Sequence, residues 1–127
     1  MKTFCEIYVK NILPAIRALL ARELIQKYSK TQMEAAKILD ITQASINYYL
    51  YGRRASKITE ALDSISEIKS MVKKLAKKIS ENSGADVGEL LCEFCMVIKS
   101  NKEYLTKVLN AIGVEESNVY VFIPKSK

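Results

Sequence analysis

Apolar side chains recur along most of this chain at spacings of three and four, the rhythm of amphipathic helices. Ile16, Leu19, Leu20, Leu24, Ile25 and Tyr28 predict a helix over 14–29, with Pro14 at its first position, where a missing N–H costs nothing. Thr31 followed by Glu34 reads as a capping box, opening a short helix over 32–39. Asp40-Ile41 interrupts it, Thr42 caps a second short helix over 43–51, and Gly52 ends that one. Across 57–82, Ala61, Ile65, Ile68, Val72, Leu75 and Ile79 alternate fours and threes, predicting one long helix with a heptad seam. Asn82-Ser83-Gly84 breaks it. Asp86 caps a helix to about Ser100, with Leu90, Leu91, Phe94, Val97 and Ile98 on its apolar side. A last helix runs from Lys102 to Ile112 and closes on Gly113 as a left-handed cap. Residues 4–12 are ambiguous between a strand and a first helical turn. The β-branched and aromatic tail Val119-Tyr120-Val121-Phe122-Ile123 suits a short strand beside residues 4–9. The sum is an all-α chain in two regions: a helix–turn–helix unit over 1–56, and 57–127 with a long heptad-patterned helix, two further helices and a short terminal strand.

Composition narrows the chemistry. The 127 residues are 49% hydrophobic and 27% charged, ordinary for a globular chain. No apolar run approaches the ~18 residues of a membrane span, and no secretory signal pattern is present, so a cytoplasmic, nucleoid-associated protein is expected. There is no His, which removes the usual general base and the commonest zinc ligand, and no glycine-rich phosphate loop. No nucleophile–base pair is visible, so no enzyme, no cofactor and no identifiable small-molecule effector are expected. The net charge is +6 and unevenly spread: +5 over residues 1–56, +2 over 57–83 and −1 over 84–127. Positive charge concentrated in one half is the footprint of a polyanion binder.

The two capped helices and their tight turn supply a matching geometry. Ala36 permits close approach, and Leu39, Ile41, Ile46 and Leu50 supply the buried contacts. Opposite Ile46, at 100° per residue, the second helix presents Ala44, Asn47, Tyr48 and Tyr51, while Gln43 sits at its N-terminus, which in such a motif enters the major groove first. Gln and Asn pair with the adenine edge, and an Ala methyl meets a thymine methyl. Gln43, Ala44, Asn47 and Tyr48 are therefore the expected base-reading set. Thr31, Gln32, Thr42, Ser45, Tyr51, Arg53 and Arg54 are the expected phosphate contacts. Asp40 stands where such turns usually carry Gly, and belongs on the outer corner, away from phosphate.

These residues also carry a resemblance. Cys5-Glu6-Ile7, Ile12-Leu13-Pro14-Ala15-Ile16-Arg17-Ala18-Leu19, Ala35-Ala36-Lys37-Ile38-Leu39, Thr42-Gln43-Ala44-Ser45-Ile46 and Tyr49-Leu50-x-Gly52-x-Arg54 look like a family of small archaeal predicted transcriptional regulators with a phage-repressor-type (Cro/C1-like) helix–turn–helix. Val72-x-x-Leu75-Ala76-x-x-Ile79 and Cys92-Glu93-x-Cys95 extend the likeness, which covers about residues 4–99. It implies sequence-specific DNA binding with Gln43, Ala44 and Asn47 in recognition roles, and no known operator. Members often carry a further Cys after the C-x-x-C; here none follows Cys95.

Cys92 and Cys95 share a helix face, and three readings stay open: small hydrophobes in the core, a dithiol switch, or metal ligands, with Cys5 or a second copy completing the set. No metal site is assigned. The seam Ile65, Ile68, Val72, Leu75 and Ile79 is the expected dimer contact, because regulators of this kind place two recognition helices about one DNA turn apart. Its alternative is packing within the monomer. Double-stranded DNA and a second copy of the chain are the expected partners, with no membrane. The leading function is a homodimeric transcriptional repressor on a palindromic operator. The alternatives are a sequence-indifferent architectural DNA binder, a thiol- or metal-responsive DNA-binding sensor, and an adaptor with a degenerate motif.

Overall fold

The computed structural model describes residues 1–81 and 87–123. The expected break at Asn82-Ser83-Gly84 and the Asp86 cap lie outside them. The described residues are mostly helical, with one two-stranded sheet among them. β1 (Lys2–Thr3) leads into α1 (Phe4–Ile7), a π-helical stretch (Tyr8–Ile12) and α2 (Leu13–Lys27). α3 (Gln32–Leu39), α4 (Gln43–Tyr51), α5 (Ala55–Asp63) and α6 (Ser66–Ser80) follow. α7 (Val87–Ser100), α8 (Lys102–Ile112), a 3-10 turn (Glu116–Asn118) and β2 (Val119–Tyr120) complete the chain. Among the described residues no helix is long and apolar enough to cross a membrane.

α2 is the central rod. Ala15, Ile16, Ala18, Leu19, Leu20, Ala21 and Leu24 are all buried, and together they run around most of the helix. A helix with apolar side chains around most of its circumference needs cover from several directions. α4 packs on it from one direction and α6 from another, with α3 and α5 also in contact. One cluster of buried side chains therefore runs from Phe4 through Ile46 and Ile68 to Val119. The 1–56 and 57–127 regions share this core.

The ambiguous segment 4–12 resolves as helix. Thr3 caps α1 in a reciprocal box with Glu6. At Leu13 the N–H reaches back to the Tyr8 carbonyl, five residues away, so the helix widens by one residue. That widening sits just ahead of Pro14, whose ring would clash with the carbonyl four residues back in a regular helix. Pro14 thus lies at the start of α2, but inside a longer continuous rod. The tail does form a strand, though its partner is Lys2–Thr3, in parallel register with Val119–Tyr120, and not residues 4–9.

The long heptad helix over 57–82 is two helices. α5 ends at Asp63, the Ser64 hydroxyl donates to the Ala61 carbonyl at 2.6 Å, and Ile65 is extended. A serine bonding back onto the preceding turn weakens the helical ladder there. The break lets α5 pack on α4 and α8 while α6 turns onto α2. The proposed dimer seam is consequently spent inside one chain: Ile65, Ile68, Val72 and Leu75 are buried, and Ile79 is half-buried against the same core. The heptad period marks a face that is buried, and its partner is α2, which needs the cover.

Two outcomes follow. Ile68→Ala, at a position with 0% exposure, should lower unfolding stability by about 2–5 kcal/mol. The loss should be the same at every protein concentration in urea titrations, whereas a seam between two chains would make it concentration-dependent. At Gly52 the backbone is extended, φ −69°, and an added Cβ would lie 2.4 Å from the Tyr48 carbonyl oxygen. Gly52→Ala should therefore destabilise by about 1–3 kcal/mol through overpacking, read as a lowered urea midpoint.

Candidate nucleic-acid interface

α3 and α4 are held by local chemistry legible in the sequence. The Thr31 hydroxyl accepts from the Glu34 N–H at 3.0 Å, and the Glu34 carboxylate accepts from the Thr31 N–H at 2.9 Å. The bond from the Thr31 backbone, then that from its side chain, holds the Glu34 carboxyl below its usual range. α3 ends on Asp40 in the left-handed region, φ 53°, and the Ile41 N–H returns to the Ala36 carbonyl at 3.0 Å. This six-to-one bond satisfies an orphan carbonyl and fixes the turn without glycine. Thr42 caps α4, accepting from the Ser45 N–H at 3.0 Å and donating its hydroxyl to Ser45 Oγ at 2.9 Å.

The inner side of the pair is Ile46, fully buried, with Leu39 buried and Ile41, Tyr49 and Leu50 half-buried beside it. Burial, and then the neighbouring Tyr48, push the Tyr49 phenol up from its ordinary value. The backbone of Tyr49 is tied to α5: the Thr59 hydroxyl donates to its carbonyl at 2.7 Å. α4 is thus anchored from below by α2 and from its C-terminal side by α5.

Its outer side is open. Gln43, Ala44 and Asn47 are exposed, and Tyr48 is 53% exposed with its ring edge-on to Tyr49, centroids 5.3 Å apart. No later segment of the described chain covers these four. The Gln32 amide donates to the Asn47 side-chain oxygen at 3.4 Å, linking the start of α3 to the exposed face of α4. Thr31, Gln32 and Thr42 are exposed around the two helix N-termini, Ser45 is half-buried with its hydroxyl held by Thr42, and Tyr51, Arg53 and Arg54 are exposed where α4 ends. All the expected contact residues therefore stand on the α3–α4 pair or directly after it.

The fold adds residues that linear reading passed over. A cleft of about 430 Å³ opens beside Tyr48, where Arg54 and Lys57 meet Asn11 and the Asn110–Gly113 end of α8. Lys57 extends the basic run after α4, which was a visible cue. Asn110 had none, since only the docking of α8 on α5 brings it there. Comparison with protein-family models, curated proteins and solved structures finds no match to this chain. The functional reading therefore rests on these residues and their geometry.

The cysteines lie elsewhere. Cys92 is exposed, so the core-packing reading fails for it, because its turn of α7 faces solvent. Cys95 is half-buried and Cys5 exposed; all three line one groove, with Cys5 within hydrogen-bonding reach of Cys95. Among the described residues no group of three or more Cys, Asp or Glu is arranged to hold a metal ion. Burial pushes the Cys95 thiol up to about 11, against the opposing pull of Lys99. Cys95 therefore remains a thiol at neutral pH. Iodoacetamide should modify Cys5 and Cys92 well before Cys95, and the Cys95 rate should climb about tenfold per pH unit until near its own pKa. Peptide mass mapping across a pH series reads both.

Proposed function

We propose that this chain is a sequence-specific, double-stranded-DNA-binding transcriptional regulator, a repressor that acts as a homodimer on a palindromic operator. In this reading α3 and α4 form a helix–turn–helix of the phage-repressor type: α4 enters the major groove with its N-terminus leading, and α3 lies across the backbone. The observation that carries it is the exposed row Gln43, Ala44, Asn47 and Tyr48, standing on a helix without a single acidic residue and followed at once by Arg53 and Arg54. Gln43 and Asn47 offer paired donors and acceptors to adenine edges, and Ala44 offers a methyl to thymine. The Gln32 amide donates to the Asn47 side-chain oxygen, a contact that favours one orientation of the Asn47 amide.

Affinity comes from the surroundings. Arg53, Arg54 and Lys57 are exposed cations on one flank, and the capped N-termini of α3 and α4 direct backbone N–H groups outward on the other. Asp40 is exposed on the corner of the turn, the position that keeps its charge from a phosphate facing α4. One helix of nine residues reads few base pairs, so two copies, with recognition helices ~34 Å apart, supply the rest of the specificity. With the heptad seam buried, the exposed apolar residues Tyr120, Phe122 and Ile123 are the surface this reading gives to pairing. Occupying a promoter would then exclude the transcription machinery, and the working location would be the cytoplasmic nucleoid.

Selection of bound duplexes from a random pool tests the proposal: a repeated half-site with one-turn spacing is expected, and a pool without enrichment overturns it. On the selected site, Asn47→Ala should cost about 1–3 kcal/mol and relax preference at one base pair. Arg53→Ala should weaken selected and random DNA alike and reduce the salt slope by about 1. Equal losses on both DNAs for both variants would mark a sequence-indifferent binder.

A further inference from the structure

The groove holding the three cysteines is a second concave site, made of residues that the α4 surface does not use. Its volume is about 470 Å³, within the range of small-molecule sites. One wall is the π-helical stretch and the start of α2; the other is the face of α7 that carries Leu91, Cys95 and Met96. The Tyr8 hydroxyl donates to the Leu91 carbonyl and ties the walls together. That bond also occupies the phenol, so Tyr8 presents its ring to the groove and not a donor. The lining is predominantly apolar, with Val9 and Met96 exposed at the rim. π-helical turns recur at functional sites, and here the turn separates buried Tyr8 from exposed Val9.

Within this apolar lining sit two cations and no acid. Lys99 is 8% exposed, and Arg17 is half-buried with its Nε buried and lacking a hydrogen-bond acceptor. Neither belongs to an ion pair of the described residues, where Arg22 meets Asp63 and Lys27 meets Glu23. The buried Arg17 Nε lacks an acceptor, and a bound anion supplies one directly. The same two charges repel a divalent metal, which also finds the Cys95 sulfur protonated. They disfavour a second copy seated face to face, because a twofold contact across the groove would bring four like charges together with no acid in the lining to offset them. A polyphosphate or nucleic-acid backbone would leave its polar surface against apolar walls.

We infer that this groove binds a small amphipathic anion, a single carboxylate held by Arg17 and Lys99 with an unbranched apolar tail lying along Tyr8, Leu13 and Leu91. The thiols of Cys5 and Cys92 flank the tail as weakly polar, polarisable surface.

Calorimetric titration of the full chain, without DNA, with decanoate, decanol and acetate tests this, each below its aggregation threshold. Decanoate should bind, with decanol and acetate each at least about tenfold weaker, since head and tail both contribute. Arg17→Gln and Lys99→Met should each weaken decanoate about tenfold or more while leaving decanol unchanged and the far-ultraviolet dichroism intact. Should Lys99→Met fail to fold, Met96→Trp, at the exposed rim, should close the groove and abolish decanoate binding in a folded protein. No decanoate binding, equal binding by decanol, or unchanged binding in the folded variants would overturn the inference. So would sedimentation showing a dimer that Val9→Asp dissociates, which would assign the groove to a second copy. Because no DNA is present, the outcome is independent of whether α4 reads a duplex.

Discussion

The structure depends on covering α2. Ala15, Ile16, Ala18, Leu19, Leu20, Ala21 and Leu24 spread apolar side chains around most of this helix, so it needs cover from several directions. Every large packing decision follows. α6 is drawn onto it, which breaks the chain at Ser64–Ile65 and buries Ile68, Val72 and Leu75 within the monomer. α4 is drawn onto it through Ile46, which turns the opposite face of α4 outward. The burial that removes a dimer seam and the burial that presents a reading face are the same event seen from two sides of one helix.

The α4 face gains its definition from constraints that do not touch it. Its N-terminus is set by Thr42 and Ser45, its approach to α3 by the left-handed turn at Asp40, and its end by Gly52, the residue small enough to leave the Tyr48 carbonyl room. The Thr59 hydroxyl holds the Tyr49 backbone from α5. A short helix without these supports would be marginal alone, because few of its own hydrogen bonds offset the entropy of forming it. The backbone that carries the proposed recognition surface is therefore tied to the core beneath it, which is what a set of directional amide contacts requires.

The N-terminal segment has a different task. Thr3 starts a helix, the widening at Tyr8–Ile12 accommodates Pro14, and β1 meets β2 so that the two ends of the described chain are joined. The same segment leans against α7 through Tyr8 and Leu91, leaving between them the groove in which Arg17 and Lys99 lack carboxylate partners. The cleft beside α4 and the cysteine groove are lined by different residues on different helices, Tyr48, Arg54 and Lys57 in one and Tyr8, Leu91 and Lys99 in the other.

Sequence alone determined what is local. The capping box at Thr31–Glu34, the Thr42 cap, the left-handed Gly113 and the outward row Gln43, Ala44, Asn47 and Tyr48 follow from spacing and side-chain chemistry over a few residues, and the structure holds each of them. The 3.6-residue period located α2, α7 and α8 for the same reason. Tertiary structure decided what depends on which surface meets which. A heptad pattern states that a face must be buried but not against what, so Ile65–Ile79 could be assigned to a partner chain until α2 was seen to need it. The polar residues Asp63, Ser64 and Ser66 flank the break, and the regular seam runs across it through Ile65. The gathering of Cys5, Cys92 and Cys95 with Arg17 and Lys99, residues up to 94 positions apart, had no signal along the chain. Only packing sets such distances, because side-chain chemistry acts over a few ångströms and is blind to separation in sequence.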